Sequence, residues 1–453
     1  MELILINEKD NVSVNPLTGH KYANCDICEG EKIIKYGFPI GVAAKDIKSG
    51  EHVHSHNLVT GLSGVNEYSY TPDFAENKKQ APDMILAYER KNGDIGIRND
   101  IWIIPTVGCV NKIADRLAKE TGAFAFTHPY GCSQLSGDHK RTQQILAGLV
   151  KHPNAGGVLV LGLGCENNNI TEFRKVLGET DDERVCFLNV QDCGDELAEG
   201  KKIIEKLKIK AAGDKRTEVP VSRLVIGMKC GGSDGLSGIT ANPLCGKITD
   251  RLTSMGGRAV LTEVPEMFGA EEVLFSRCVD KDTFDKAQQM INDYKNYFIS
   301  HGEPISENPS PGNKEGGITT LEEKSLGCVT KGGSAVITDV LSYGDKVNRP
   351  GLSLLNGPGN DMVAITNLTA AGCHMILFTT GRGTPLGAPV PTIKIATNTA
   401  LKEKKLHWID FDAQAGGEAE LFDLIKEIAE GRETNNETNG YREIAIMKDG
   451  VTL

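Results

Sequence analysis

Apolar positions along the 453-residue chain fall into two regimes. Up to about residue 65, short β-like runs alternate with turns and no long amphipathic helix pattern occurs. Ile33-Ile34-Lys35-Tyr36-Gly37-Phe38-Pro39-Ile40-Gly41-Val42-Ala43 runs into the turn-rich Asp46-Ile47-Lys48-Ser49-Gly50-Glu51. This pattern predicts a small β domain over 1–65. Residues 66–98 are polar with little periodicity and read as a linker, of which Glu76-Asn77-Lys78-Lys79-Gln80-Ala81-Pro82 is the most loop-like part. From residue 99 a strand–loop–helix unit recurs. Three apolar runs, beginning at Ile101, Phe124 and Val158, read as buried strands, each followed by a helical pattern. Further strands are predicted at 185–190, 223–228, 258–262, 352–355, 374–380 and 406–410, and helices at 111–120, 140–152, 196–208, 243–255, 281–298 and 417–430. Residues 302–317, rich in Pro, Gly, Asn and Glu, read as a second linker or a lid. Asn435-Asn436-Glu437-Thr438-Asn439-Gly440 reads as a polar loop before a final strand. The alternation predicts an α/β fold of parallel, Rossmann-like sheets covered by helices, in two subdomains over 99–220 and 221–453.

Composition narrows the class. Apolar residues make up 39% and charged residues 25%, as in ordinary globular proteins. A formal net charge of −11 argues against a duplex nucleic-acid surface, which needs clustered Lys and Arg. No apolar stretch approaches the roughly 20 residues that span a bilayer. Met1-Glu2-Leu3-Ile4 lacks the basic and apolar regions of a signal peptide. The expectation is a cytoplasmic protein with a small-molecule ligand, without nucleic-acid or membrane partners, for which symmetric homo-oligomers are common. In that setting the 12 cysteines read as thiols or metal ligands rather than disulfides. Most stand beside glycine: Cys109, Cys132, Cys165, Cys193, Cys230, Cys245, Cys328 and Cys373.

Three of these occupy equivalent places. Gly108-Cys109, Gly131-Cys132 and Gly164-Cys165 each follow one of the first three apolar runs. Loops leaving the carboxyl ends of parallel strands form the ligand crevice of such sheets. Three thiolates meeting there suit an iron–sulfur cluster, and three cysteine ligands leave one iron of a four-iron cluster open. The alternative is three small buried thiols. A second motif, Gly50-Glu51-His52-Val53-His54-Ser55-His56-Asn57, puts His52, His54 and His56 on one face if it is a strand, where they suit a divalent metal, an anionic ligand or proton transfer. Cys25-Asp26-Ile27-Cys28 is a single CxxC without a second pair and reads as a turn with two thiols.

Glycine-rich loops follow later strands: Met228-Lys229-Cys230-Gly231-Gly232-Ser233-Asp234-Gly235, Asn356-Gly357-Pro358-Gly359-Asn360-Asp361, and Thr379-Thr380-Gly381-Arg382-Gly383-Thr384-Pro385. Their amides suit anions, or they are plain turns. None is a P-loop and none is GxGxxG opening a helix, so a small carboxylate- and hydroxyl-rich ligand fits better than a nucleotide, with Lys229, Arg382 or Lys394 facing its charge. Thr127-His128-Pro129-Tyr130-Gly131-Cys132-Ser133-Gln134 places His128 beside a candidate ligand, either as acid/base or as a turn-fixing residue.

These segments, with Pro105-Thr106-Val107-Gly108-Cys109-Val110-Asn111, Gly162-Leu163-Gly164-Cys165-Glu166 and Gly231-Gly232-Ser233-Asp234-Gly235-Leu236-Ser237-Gly238, span nearly the whole chain in one order. Together they resemble the altronate dehydratase and galactarate dehydratase family of sugar-acid hydro-lyases. Cys109-Val110-Asn111 and Tyr130-Gly131-Cys132-Ser133-Gln134 look closer to the altronate branch, and related members act on other 2-hydroxy acids, including sulfolactate. Cys25 and Cys28 are not features of the family. The resemblance implies an amino-terminal SAF-type (β-clip) domain carrying the histidines, a larger α/β catalytic region, and dependence on ferrous iron.

The implied reaction takes the C2 proton of a sugar acid and expels the C3 hydroxyl, giving a 2-keto-3-deoxy acid. Iron would sit either in a cluster on Cys109, Cys132 and Cys165, or as a single Fe2+ on His52, His54 and His56. His54, His56, His128 and Lys394 are the acid/base candidates. His52, Asn57, Ser133, Gln134, Lys229, Ser233, Asp234, Arg382 and Thr384 are the expected substrate shell. A protein that binds sugar acids without turning them over and a zinc hydrolase are the other classes open at this point.

Overall fold

The computed structural model describes residues 3–75 and 78–453; Met1 and Glu2 of the amino terminus and Glu76 and Asn77 of the linker lie outside the described residues. The amino-terminal part contains six short strands: β1 (Val12–Val14), β2 (Lys21–Ala23), β3 (Lys32–Lys35), β4 (Phe38–Ala43), β5 (His52–Val53) and β6 (Leu58–Val59). They form two antiparallel sheets, β1-β2-β5 and β3-β4-β6. Val12, Ile27, Ile33, Ile40, Ile47 and Val53 fill the space between them. Tyr36 and Gly37 connect β3 to β4 with φ of 62° and 79°, the twist a tight hairpin requires.

The linker expected over 66–98 holds two strands, β7 (Met84–Glu89) and β8 (Ile95–Gly96). β7 was hard to read because only Ile85 and Ala87 point inward, while Met84 and Leu86 are exposed.

Next come β9 (Asp100–Pro105), α1 (Asn111–Thr121), β10 (Phe124–Ala125), α2 (Ser136–Val150), β11 (Ala155–Gly162), α3 (Ile170–Leu177), β12 (Val185–Asn189) and α4 (Glu196–Ala212). The four strands form a parallel sheet in the order β10-β9-β11-β12. All of β11 is buried, which explains its unbroken apolar run. β13 (Arg216–Pro220) returns to pair with β7.

The second parallel sheet contains β14 (Val225–Cys230), β15 (Arg258–Leu261), β16 (Ile337–Leu341), β17 (Gly351–Leu355), β18 (Met375–Thr380), β19 (Thr392–Ala396) and β20 (Phe411–Asp412), in the order β16-β17-β15-β14-β18-β19-β20. Its helices are α5 (Ala241–Ser254), α6 (Glu271–Phe275), α7 (Lys281–Ser300), α8 (Pro311–Glu315), α9 (Leu321–Val329), α10 (Asp361–Ala370), α11 (Thr399–Lys404) and α12 (Glu418–Ala429). The chain builds outward from β14 on one side and returns to β18 on the other, so the order reverses between β14 and β18. Three expectations fail here. The segment 435–440, read as a polar loop, opens with a capped helical turn, α13 (Asn435–Thr438), whose Asn436 and Glu437 are buried because Glu437 pairs with Arg98. The strand at 406–410 is a turn, because Trp408 and Ile409 close back on Lys405 and cap a small cluster with Ala396 and Leu401. The final strand is largely an extended segment without a ladder, held by single contacts such as Ala445 N to Thr366 Oγ1 and Met447 N to the Tyr343 hydroxyl. No helix among the described residues is long and apolar enough to cross a membrane.

Helix α9 carries the docked β domain. All nine of its residues are buried, including Glu322, Glu323 and Lys324. Glu323 accepts Lys21 Nζ and Lys35 Nζ, each at 2.8 Å, and Glu322 accepts Gly61 N at 2.7 Å. Burial opposes the charge of Glu323, but the two ammoniums hold it at about 2. Burial pushes Lys21 down to about 8 with Lys35 adding repulsion, whereas Lys35 is raised; we take the shared carboxylate as keeping both charged near neutral pH.

Three buried histidines act as neutral braces. His152 accepts Asn154 N and donates to Cys373 O; His374 accepts Val225 N and donates to Ile95 O. Burial lowers His128, His152 and His374 to about 4, 3 and 4. The unfolded chain therefore takes up protons first on acidification, so stability is present above the unfolded pKa near 6.5 and is lost as pH falls toward 4, by roughly 3 kcal/mol per imidazole. Thermal or urea unfolding should show this loss between pH 6.5 and 4.5; a flat profile there would remove the histidines from the stability balance.

Candidate active site

β10, β9 and β11 end side by side, and Cys109, Cys132 and Cys165 follow them in loops that lace together. Gly108 N donates to Tyr130 O at 2.9 Å, Asn168 N to Gly131 O at 2.9 Å, and Ser133 N to Asn167 Oδ1 at 3.0 Å. Glu166, buried below, accepts Thr106 Oγ1 and Gly164 N, both at 2.6 Å. β9 and β11 are almost wholly buried and β10 half-buried, but all three thiols are exposed, against the alternative of inert core cysteines. Gly131 has φ +102°, and a Cβ there would lie 1.9 Å from Thr106 O. Gly131→Ala should therefore displace the Cys132 loop and lower any metal occupancy supported by Cys132; unchanged metal content and activity would show that the loop tolerates the shift.

His128 is buried with both ring nitrogens engaged, accepting from Tyr130 N and donating to Pro105 O at 2.8 Å, which leaves neither for a substrate. It fixes the turn before Cys132. Gln134 Oε1 accepts Gly131 N, and its buried Nε2 has no partner among the described residues. Leu453 N donates to Ser133 O, and Asp449 N and Gly450 N donate to Asp138, so the carboxyl-terminal segment lies across this loop.

The histidine motif is arranged differently from expectation. The strand is only His52–Val53, and residues 54–57 turn, with Asn57 N and Leu58 N both donating to His54 O. The turn still gathers the rings, with centroids 5.4 Å apart for His52–His54 and 5.9 Å for His52–His56. A fourth ring, His20, joins them, its Nδ1 3.0 Å from His52 Nε2. Buried Asn57 shapes the turn through His54 N and His52 O rather than facing a ligand. Burial and the neighbouring imidazoles push His52 down to about 4, so it is neutral near pH 7. His54 Nε2 donates to Lys314 O of α8 at 2.8 Å, so α8, within the segment read as a linker or lid, touches the cluster.

The order reversal of the second sheet brings Gly231-Gly232 beside Gly381-Arg382: Gly381 N and Arg382 N both donate to Gly232 O at 3.0 Å. Arg382 pairs with Glu315 of α8 at 3.0 Å, and Ser233 O accepts Asn313 Nδ2 at 2.8 Å. Asp234 is half-buried and committed to Leu236 N, Ser237 and Thr397. Lys229 is fully buried and paired with Glu263 and Asp361. Lys394 lies under the same loop and donates to the carbonyls of Thr384 and Leu386, and burial lowers it to about 7.

Below this loop, Cys230, Glu266 and Cys328 place their donor atoms within 4.8 Å of one another, a group able to hold a metal ion; among the described residues neither the three cysteines nor His52, His54 and His56 close to that spacing. A four-iron cluster takes its thiolates on different irons, so the cysteine trio does not require it. A cleft of about 780 Å³ opens beside the Cys132 loop and α8, lined by Tyr130, Lys314, Tyr297, Asn360 and Lys448.

Three family models cover the chain: residues 16–61 match the altronate/galactarate dehydratase SAF domain, 87–212 the D-galactarate dehydratase/altronate hydrolase second domain, and 221–452 the D-galactarate/altronate dehydratase C-terminal region. Altronate dehydratase of Escherichia coli (strain K12) is 53% identical over the whole chain and 95% of that relative. Altronate dehydratase of Bacillus subtilis (strain 168) is 50% identical over 99% of the chain and 94% of the relative. Galactarate dehydratase (L-threo-forming) of Escherichia coli (strain K12) is 32% identical over 91% of the chain and 86% of the relative.

Proposed function

Because the chain belongs to the D-galactarate/altronate dehydratase family, we propose that this hydro-lyase dehydrates D-altronate in the cytoplasm to a 2-keto-3-deoxy acid, with iron held by Cys109, Cys132 and Cys165. The observation that carries the metal assignment is the lacing of three exposed-thiol loops at the carboxyl edge of one parallel sheet. Thiolate donors on fixed loops fit an iron–sulfur group, and three of them leave one iron free. When bound, that iron supplies a Lewis acid for substrate oxygens.

The chain's own groups divide the remaining work. The C2–H bond breaks, its proton passes to a base, the C2–C3 double bond forms as hydroxide leaves C3, and the enol becomes the ketone; one water is released. His54 and His56 are the acid/base pair in this reading. The Lys314 carbonyl orients His54 through Nε2, and Nδ1 is hydrogen-bonded to Ser55 Oγ at 3.0 Å, an exposed hydroxyl through which a proton can pass, unlike the buried partners of His128. Arg382 exchanges Glu315 for the substrate carboxylate. Lys314 lines the cleft beside Tyr130 and adds positive charge there.

A second reading places a single Fe2+ on the histidines, favoured by the convergence of His20 with His52, His54 and His56. Protein purified without oxygen and assayed for iron and acid-labile sulfide separates the two: several irons with matching sulfide support the cluster, one iron without sulfide supports the histidines. Incubation with D-altronate should release a 2-keto-3-deoxy acid faster than with galactarate or sulfolactate. Binding of altronate without turnover by the iron-loaded protein would turn the assignment toward a sugar-acid-binding protein.

A further inference from the structure

We propose that Cys230, Cys328 and Glu266 form a second, closed metal site for a thiophilic divalent cation such as Zn2+, which fastens α9 to the central strand β14. The donors are already gathered. The two Sγ atoms lie 3.4 Å apart, and Glu266 Oε2 lies 3.3 Å from Cys230 Sγ and 3.1 Å from Cys328 Sγ. Bonds of about 2.3 Å to sulfur and about 2.0–2.2 Å to oxygen in a tetrahedron would spread such donors to roughly 3.5–3.8 Å. An outward movement of a few tenths of an ångström therefore admits the ion. Glu263 Oε2 lies 3.7 Å from Cys230 Sγ and is a candidate fourth donor. Glu263 holds a non-glycine φ of +71°, the kind of backbone strain that persists where a side chain must be aimed.

Charge and outer contacts agree with this assignment. Two thiolates and one carboxylate carry one negative charge more than a divalent ion offsets, and Lys331 Nζ lies 3.0 Å from Cys230 Sγ to meet it. Lys324 Nζ, at 2.9 Å, holds the other oxygen of Glu266, the outer-shell support typical of ligating carboxylates. Cys230, Glu266 and Cys328 are 2%, 5% and 4% exposed. The cavity that reaches Cys328 is about 10 Å³, room for about one water and not for a sugar acid. A site without a substrate position is structural rather than catalytic. Its place explains what it would do: Cys328 lies on the helix whose Glu322 and Glu323 hold the β domain, and Cys230 ends the strand at the order reversal of the sheet.

The test uses the full-length chain in a Cys132→Ser background, so that metal on the exposed loop does not contribute. Cells supplied with cobalt should yield protein with one Co2+ per chain by native mass spectrometry and thiolate-to-cobalt charge-transfer absorption in the near ultraviolet. Adding Cys328→Ser should reduce occupancy at least about tenfold, and Glu266→Gln, the gentler change, should weaken retention against a chelator by about 10–100-fold. The proposal is overturned if the Cys132→Ser protein carries no thiolate-bound cobalt, if the bands survive Cys328→Ser, or if peptide mapping finds Cys230 and Cys328 joined as a disulfide. If Cys328→Ser does not fold, the metal count of the Cys132→Ser protein and the Glu266→Gln response still decide it.

Discussion

Cys132→Ser should yield a folded chain with iron near background and dehydratase activity below detection. Cys132 is exposed, and the hydrogen-bond contact of its Sγ is a long one, 4.0 Å from Ser133 Oγ, so a hydroxyl disturbs little. Surface changes of this kind typically stay within about 0.5 kcal/mol of stability. The chemistry changes far more, since a serine hydroxyl stays protonated near neutral pH and is a poor ligand for iron where a thiolate is a good one. The matching control is Cys25→Ser, an exposed thiol of the β domain, which should keep both iron and activity. Iron by elemental analysis and product formation from D-altronate are the readouts. A Cys132→Ser protein that remains active and iron-replete would take Cys132 out of the ligand set and favour the histidine reading.

The second large effect concerns stability. Glu323→Ala should cost about 3–5 kcal/mol, because it strands two buried ammoniums that share one carboxylate. The loss should appear first as release of the β domain, read by limited proteolysis between residues 61 and 99 and by an early unfolding transition in urea. Replacing all three members by apolar residues, Lys21→Met, Lys35→Met and Glu323→Leu, should recover most of the loss, since a desolvated ion pair is worth little more than good packing. A Glu323→Ala protein as stable as the parent would mean that water reaches the lysines.

The cysteine loops were legible because identical local chemistry recurs three times: an apolar strand, a glycine and a thiol. His52, His54 and His56 were legible by proximity, although a turn rather than strand pleating gathers them. His20 was not, since a lone histidine 32 residues before His52 carries no local signal. The Cys230–Glu266–Cys328 group was also missed. Its members are spread over 98 residues, and only the glycine beside each cysteine hinted at it. Helix α9 carries no predicted element at all: its charged run Leu-Glu-Glu-Lys-Ser gives no sign of a core, yet every residue is buried because each charge finds a partner from another element. Lys229 and Asp234 lie beside the expected crevice but are spent on internal pairs, which residue type cannot reveal.

The Lys21–Glu323 contact joins residues 302 apart in sequence. At translation rates of about 5–20 residues per second, roughly 15–60 seconds separate their emergence from the ribosome. During that interval Lys21 and Lys35 lie on a nascent domain facing water, which solvates them at no cost. Their desolvation is therefore deferred to docking on α9, late in synthesis, and the β domain gains its partner only when most of the chain is already made. The wait is long enough for chaperones to meet a half-finished protein whose two docking lysines are still hydrated.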